Sequence, residues 1–246
     1  MTIRGRERWE FRRGVAELIA AHMSWLARLE KGPGQLVAKG LSLDSLALHT
    51  LSLRHARFDS CDFSNIYAPM ANFDGGEFID CSFVGADAES MHFLDATLTR
   101  CDFSRSHIAG TAFGGRITEC RFDFAGLAAA SFSDATCERL DFSTADVLGV
   151  IFQRTVLRDC NLAGRDLTGG SAFGAEFRSC DLRGVRWAGA VIMDVQFVDC
   201  LIGQASSDVD PPESVSAVLQ GCRLSPEGPA LTSDEAHAAM GWPAPA

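Results

Sequence analysis

From residue 43 onward the chain places an apolar residue at every fifth position. The series runs Leu43, Leu48, Leu53, Phe58, Phe63, Ala68, Phe73, Phe78, Phe83, Ala88, Phe93, Leu98, Phe103, Ile108 and Phe113. One residue is then dropped and the phase resumes at Ile117. It continues through Phe122, Leu127, Phe132, Cys137, Phe142, Val147, Phe152, Leu157, Leu162, Leu167, Ala172, Phe177, Leu182, Trp187, Ile192, Phe197 and Ile202. All 33 positions are apolar if Ala and Cys are counted so, and 14 of the 17 Phe fall on them, so the phase is not chance. A period of five matches neither the 3.6 of a helix nor the 2 of an ordinary strand. It fits a coil that turns a corner every five residues and points the central residue of each five inward. The residue two before the centre is also small or apolar (Ala56, Cys61, Ile66, Ala71, Gly76, Cys81, Ala86). The other three positions are mostly Asp, Asn, Ser, Thr, Arg and Gly, as an outer surface requires. Gly recurs two after the centre, at Gly75, Gly85, Gly110 and Gly149 among others, where a tight corner favours positive φ.

The blocks "CDFSN", "ANFDG", "CNLAG", "RDLTG" and "CDLRG" resemble the A(D/N)LxG consensus of pentapeptide-repeat proteins. The likeness covers residues 41–204, about two thirds of the chain. It implies an all-β solenoid: a right-handed quadrilateral β-helix with four pentapeptides to a turn and about eight coils. At about 4.8 Å between stacked strands such a rod is roughly 40 Å long. Three parts are expected: a helical cap and linker over 1–40, the β-helix over 41–204, and a tail over 205–246 with short helices.

A second period lies on the first. Cys61, Cys81, Cys101, Cys120, Cys160, Cys180 and Cys200 recur at the pitch of four pentapeptides, with Leu140 interrupting the column. Tetrahedral zinc needs four converging ligands at about 2.3 Å, and a straight column about 4.8 Å apart does not converge. Parallel Cβ vectors also stay wider than the ~3.8 Å a disulfide prefers. Packing remains: buried Cys acts as a small hydrophobe beside a stacked column of Phe63, Phe83, Phe103, Phe122 and Phe142. No metal or cofactor is expected.

The ends read differently. Residues 6–31 have helical spacing, with Val15, Leu18, Ile19, Met23, Leu26 and Leu29 on one side, and "GPG" at 32–34 stops the run. A helix here would cap the first turn; being basic and amphipathic, it could instead touch a partner or a membrane surface. In the tail, "SSDVDPPESVSAVLQ" predicts a short helix after its prolines, and Thr232 or Ser233 is a candidate N-cap for another. Ile151, Phe173, Val191, Met193, Val198 and Leu201 are apolar at outward positions. Such a patch calls for a cover, either the tail or a second copy of the chain, making a homodimer through the C-terminal coils.

Charge narrows the partners. The chain is net −10: residues 1–40 carry +4, 41–204 carry −9 and 205–246 carry −5. An acidic body argues against direct contact with nucleic acid. No apolar run approaches the roughly 18 residues of a membrane span. A charged start and nine cysteines point to the cytoplasm. No P-loop, H-E-x-x-H, C-x-x-C or G-x-S-x-G occurs, and the six His are scattered, so an enzyme is not expected.

Acids do align beside the cysteine column. Asp62, Asp102, Asp141 and Asp181 each follow it, and Asp59, Asp80, Glu119, Asp159 and Asp199 come just before it. The stripe is either a surface for a basic partner or a solvated face among neighbouring Arg. A protein-binding scaffold is the leading functional expectation, with the partner's identity open. The family resemblance adds two alternatives. Some members mimic DNA and bind type II topoisomerases such as DNA gyrase, inhibiting it or protecting it from quinolones; others serve bacterial secretion or toxin systems. Duplex DNA would carry roughly 24 charges over 40 Å, against a solenoid net of −9, so mimicry requires the Arg to be segregated from the stripe.

Overall fold

A computed structural model describes residues 3–203 and 212–242. The chain is a parallel β-solenoid of about nine turns with two helices, in the right-handed quadrilateral form that the repeat implies. Helix α1 (Ile3–Ala27) comes first. The strands that follow are short because each side of the coil is only one pentapeptide long. They are β1 (Val37–Lys39), β2 (Arg57–Asp59), β3 (Glu77–Ile79), β4 (His92–Phe93), β5 (Thr97–Thr99), β6 (Ala112–Phe113) and β7 (Arg116–Thr118). Next come β8 (Thr136–Glu138), β9 (Val156–Arg158), β10 (Glu176–Arg178), β11 (Asp181–Leu182), β12 (Val191–Val198), β13 (Leu201–Ile202) and β14 (Ser214–Gln220), then helix α2 (Ser233–Met240).

Ten strands form one side of the coil, in the order β1-β2-β3-β5-β7-β8-β9-β10-β12-β14. Every pairing is parallel, and the register steps by twenty residues, as from Phe58 to Phe78. The other three sides are held by β4–β6, β11–β13 and single parallel bridges such as Tyr67 to Asp87 and Asn72 to His92. We number the sides by their central residues. Side one carries Phe63 and Phe83, side two Ala68 and Ala88, side three Phe73 and Phe93, and side four Phe58 and Phe78. All eight are buried.

The bore is filled by two aromatic ladders. On side one, Phe63–Phe83 and Phe83–Phe103 stack at 4.7 Å and 6°, and Phe122 and Phe142 extend the column at 5.3 Å. On side three, Phe73, Phe93, Phe113, Phe132 and Phe152 stack likewise. The ladders meet edge to face, Phe103 on Phe113 at 5.8 Å and 89°. Side two, with its smaller centres, leaves the room they need.

The dropped residue lies at one corner. Register steps by nineteen there, Thr97 pairing Arg116, because the corner after Phe113 is built from Gly114 and Gly115 alone. Gly115 has φ +77°, and a Cβ on it would sit 2.3 Å from the Ala96 carbonyl oxygen. Only glycine fits, and the column of cysteines passes the defect intact.

Both ends depart from expectation. The helix expected after the prolines is strand β14, which pairs in parallel with β12 and supplies a further coil. Its β-branched, uncharged sequence SVSAVLQ suits a coil rung better than an eight-residue helix. Residues 204–211, which open that stretch, lie outside the described residues. The expected α2 does form: Thr232 caps it, with Glu235 reciprocating in a capping box. Ala236, His237, Met240 and Trp242 are buried at the last coil, where Trp242 meets Trp187 at 6.1 Å and Phe197 at 5.5 Å.

At the other end α1 does cap the first coil, but through a different stripe. Val15, His22 and Trp25 are buried and Ile19 packs on the core, whereas Leu18, Met23 and Leu29 face out. The backbone of the GPG linker presses on this stripe: a Cβ on Gly34 would lie 2.9 Å from the Ala21 carbonyl oxygen.

Candidate interaction surfaces

The cysteine column is structural. All nine cysteines are free and buried. Most thiols of the column reach back to a carbonyl of the previous coil: Cys81 Sγ donates to Phe58 O at 3.5 Å, Cys101 to Phe78 O at 3.5 Å, and Cys200 to Phe177 O at 3.3 Å, whereas Cys120 bonds its own Thr118 O at 3.5 Å. Thr155 makes the same bond to Phe132 O at 2.6 Å. The position therefore favours a small side chain with a donor, which a purely hydrophobic reading of Cys misses. A thiolate there would face carbonyl oxygens, and burial pushes the thiols of Cys61 and Cys137 up and that of Cys222 to about 11. Cys222 continues the column in the coil made by β14, its Sγ 3.6 Å from Phe197 O. The sequence carried a signal for this rung: Leu219, Gly221 and Cys222 repeat the spacing of Phe197, Asp199 and Cys200.

The acidic stripe separates into two columns with different roles. Asp62, Asp102, Asp141 and Asp181 share one line of bridges on side one with Ser82, Arg121 and Asn161. Their Oδ1 atoms accept backbone N–H bonds two residues on: Ser64 at 2.9 Å, Ser104 at 2.8 Å, Ser143 at 2.8 Å and Arg183 at 3.1 Å. Asn161 does the same for Ala163 at 3.1 Å. These are Asx turns that shape the corner, so this position takes Asp or Asn for its oxygen rather than its charge.

The second column lies on the corner between sides four and one. Asp80, Glu119, Asp159 and Asp199 adopt left-handed φ there, between 52° and 56°. Arginines on the neighbouring turns occupy the same column and neutralise two of the acids, Asp80 with Arg100 at 2.7 Å and Glu119 with Arg139 at 3.0 Å. Asp59 pairs with Lys39 at 2.7 Å, and Asp181 with Arg183. The hydrogen bonds from Arg100 and Lys39 hold the Asp80 and Asp59 carboxyls below the usual carboxylate range. Positive and negative groups thus alternate along the rod instead of separating into faces.

The apolar residues divide as well. Ile151, Phe173, Val191 and Met193 share side three, and Ile151 and Val191 are bridged through Ser171. Val198 belongs to side four and Leu201 to side one. Helix α2 packs on β13 and β14 and does not cover side three. Phe173 is 40% exposed. Going back along side three from this patch, the outward positions Gln153, Ser133, Ser131, Gly114 and Ala112 carry no charge.

Other chemistry is sparse. No group of three or more His, Cys, Asp or Glu among the described residues is placed to hold a metal ion. His107 pairs with Glu89 at 2.6 Å and His55 with Glu30 at 3.0 Å, both at the surface. No helix among the described residues is long and apolar enough to cross a membrane.

Comparison of the sequence with family models and with curated proteins returns no match. Solved structures do match, and those described here are pentapeptide repeat proteins. HetL, involved in heterocyst differentiation regulation in the cyanobacterium Nostoc, is 15% identical; the match covers 68% of this chain and 90% of that one at a TM-score of 0.41. QnrB1, a plasmid-mediated fluoroquinolone resistance protein, is 23% identical over 74% of this chain and 89% of that one, with a TM-score of 0.35. A protein of the Arabidopsis thaliana thylakoid lumen is 28% identical over 44% of this chain and 69% of that one, at 0.29.

Proposed function

We propose that this chain, a solenoid of pentapeptide repeats, is a non-enzymatic rigid scaffold that binds another protein through its outer sides. The observation that carries this reading is the disposition of its polar groups. Among the described residues the inward positions are filled by stacked rings and thiols, and the hollow over Val37, Arg57 and Glu77 lies open on the outside of the rod rather than in its bore. Many of the outward acids are committed, Asp62, Asp102, Asp141 and Asp181 to corner turns and Asp80 and Glu119 to arginines of the next coil. What remains is shape: a flat, capped rod whose side three carries uncharged residues beside its centres, edged by the Asp134–Arg154 ion pair at the corner, and ends in Ile151, Phe173, Val191 and Met193. We take that patch as the leading docking surface, for a partner protein or for a second copy through the C-terminal coils.

The test is a Phe173→Asp/Met193→Asp variant. Both side chains point outward, so the fold is retained. Sedimentation velocity then reads self-association, and quantitative co-purification from the source cell reads other partners. A dimer or a specific partner present with the wild type and absent with the variant supports the surface. Identical behaviour of the two proteins removes it.

A second reading, a DNA mimic directed at a type II topoisomerase, draws support from one feature. Asp62, Asp102, Asp141 and Asp181 do stand in a single line on side one. Against it stand Arg121 within that line and the arginine-neutralised corner column beside it.

A further inference from the structure

His22 sits between α1 and the first coil in a geometry that protonation would reverse. The side chain is fully buried. Its ring stacks on Trp25 with centroids 5.4 Å apart, and its Nδ1 accepts the backbone N–H of Leu36 at 3.0 Å. Leu36 immediately precedes β1, so this bond ties the helix directly to the first rung of the solenoid. An accepting Nδ1 keeps its lone pair, which puts the neutral ring's proton on Nε2, a buried atom that makes no hydrogen bond of normal geometry although the Arg54 carbonyl lies near the ring. A second proton would set N–H against N–H at Leu36. It would also place a cation in an enclosure formed with Val15, Trp25 and Leu36. The rest of the docking contact is narrow, because Leu18, Met23 and Leu29 face outward.

We propose that His22 makes α1 an acid-released lid on the N-terminal end of the solenoid, docked while the ring is neutral and detached when it is protonated. Release would uncover the apolar end of the first coil at Leu36 and Leu43, which share one buried cluster with Val15, and such an exposed apolar end is a surface for another chain. The charged surroundings do not cancel the effect. Burial is the largest influence on the His22 pKa and lowers it, and His55 adds to that; the Arg54 backbone carbonyl and Glu30 pull the other way. A folded-state pKa below the ordinary 6.5 means docking is strongest above that pH. Docking then weakens as pH falls below it, by up to about tenfold per pH unit, until the docked form itself takes up the proton. His55 faces Glu30 at 3.0 Å on the same side of the linker. Gln35, which bonds the His55 carbonyl at 2.8 Å, carries no charge. Arg28 is anchored on the Pro33 carbonyl at 2.6 Å.

The experiment is residue-resolved amide exchange on the full chain, corrected for intrinsic rates, at pH 7.5, 6.5 and 5.0. The Leu36 amide and those of α1 should lose protection progressively between pH 6.5 and 5.0, by up to about tenfold per pH unit, while the Phe103 amide, bonded to Arg121 O at 2.8 Å within the rod, keeps its own. His22→Asn supplies a non-titrating acceptor for Leu36 and should abolish the response; His55→Gln should preserve it. Protection at Leu36 that tracks Phe103 at every pH overturns the proposal, as does an unchanged response in His22→Asn. Should His22→Asn fail to dock at pH 7.5, the wild-type His22 resonance decides: titration below 6.5 together with the loss of Leu36 protection supports the lid, and titration at or above 6.5 overturns it.

Discussion

Replacing Phe103 with Ala removes one rung from the side-one ladder and tests whether the stacked rings hold the rod together. Phe103 is completely buried. It lies between Phe83 at 4.7 Å and Phe122 at 5.3 Å, with the edges of Phe93 at 6.1 Å and Phe113 at 5.8 Å beside it. Truncating a buried Phe to Ala costs about 3–5 kcal/mol through lost transfer energy and the cavity left behind. Each well-oriented ring pair adds roughly 0.5–1.5 kcal/mol beyond burial, and four pairs are broken here. The neighbouring coils are pinned by their own backbone ladders and cannot collapse into the gap, so the loss belongs at the upper end, about 5 kcal/mol. Phe124 provides the control: it is 67% exposed at a corner, and Phe124→Ala should change stability by no more than about 0.5 kcal/mol. Urea unfolding followed by far-UV circular dichroism reads both. A Phe103→Ala loss under about 1 kcal/mol, or one equal to that of Phe124→Ala, would refute the claim that the ladder is the main cohesive element.

Other expectations follow from single observations. Gly115→Ala should destabilise by more than about 2 kcal/mol, because positive φ and a Cβ against the Ala96 carbonyl act together; Gly169→Ala, also at positive φ but in open space, should cost only about 1 kcal/mol. Asp102→Asn should preserve stability because Asn can accept the same Ser104 N–H, whereas Asp102→Ala should cost about 1 kcal/mol, measured by thermal melting. All nine thiols should be silent to a thiol reagent in native buffer and react together on unfolding. The depressed carboxyls of Asp59, Asp80 and Asp134 give stability that is present above the ordinary carboxylate pKa of 3.8 and is lost as pH falls through their folded values. The melting temperature should therefore drop below about pH 4, and high salt should flatten the drop because the pairs are exposed.

Much of the fold was legible because a coil with five-residue sides writes its geometry into every side. Each inward column repeats at twenty residues, and a single dropped residue shows as a phase shift at Gly114 and Gly115. The ends were harder to read, for physical reasons. β14 follows an interruption after Gly203 that breaks the phase, so its SVSAVLQ reads as a short helix after two prolines although Leu219, Gly221 and Cys222 keep the repeat's spacing. On α1 the docking stripe contains His22 and Trp25, which an apolar count discounts, while the more conspicuous Leu18, Met23 and Leu29 stay outside. The stripe of acids was visible as a pattern, but its meaning was not. Whether an Asp supplies charge or a turn-closing oxygen depends on where its Oδ1 points, and whether a corner acid is neutralised depends on the arginine twenty residues away.

The proposed scaffold would act by shape, its line of acids on side one interrupted by Arg121 and its corner column partly neutralised by arginines. The most direct measurement is a gyrase supercoiling assay with the purified protein titrated in, with and without a quinolone. A scaffold acting by shape predicts no change in supercoiling or drug sensitivity up to tens of micromolar (binding no stronger than about −6 kcal/mol). Inhibition or protection near one micromolar, abolished by replacing Asp62, Asp102, Asp141 and Asp181 with Asn, would contradict it and establish the acidic line on side one as the working surface.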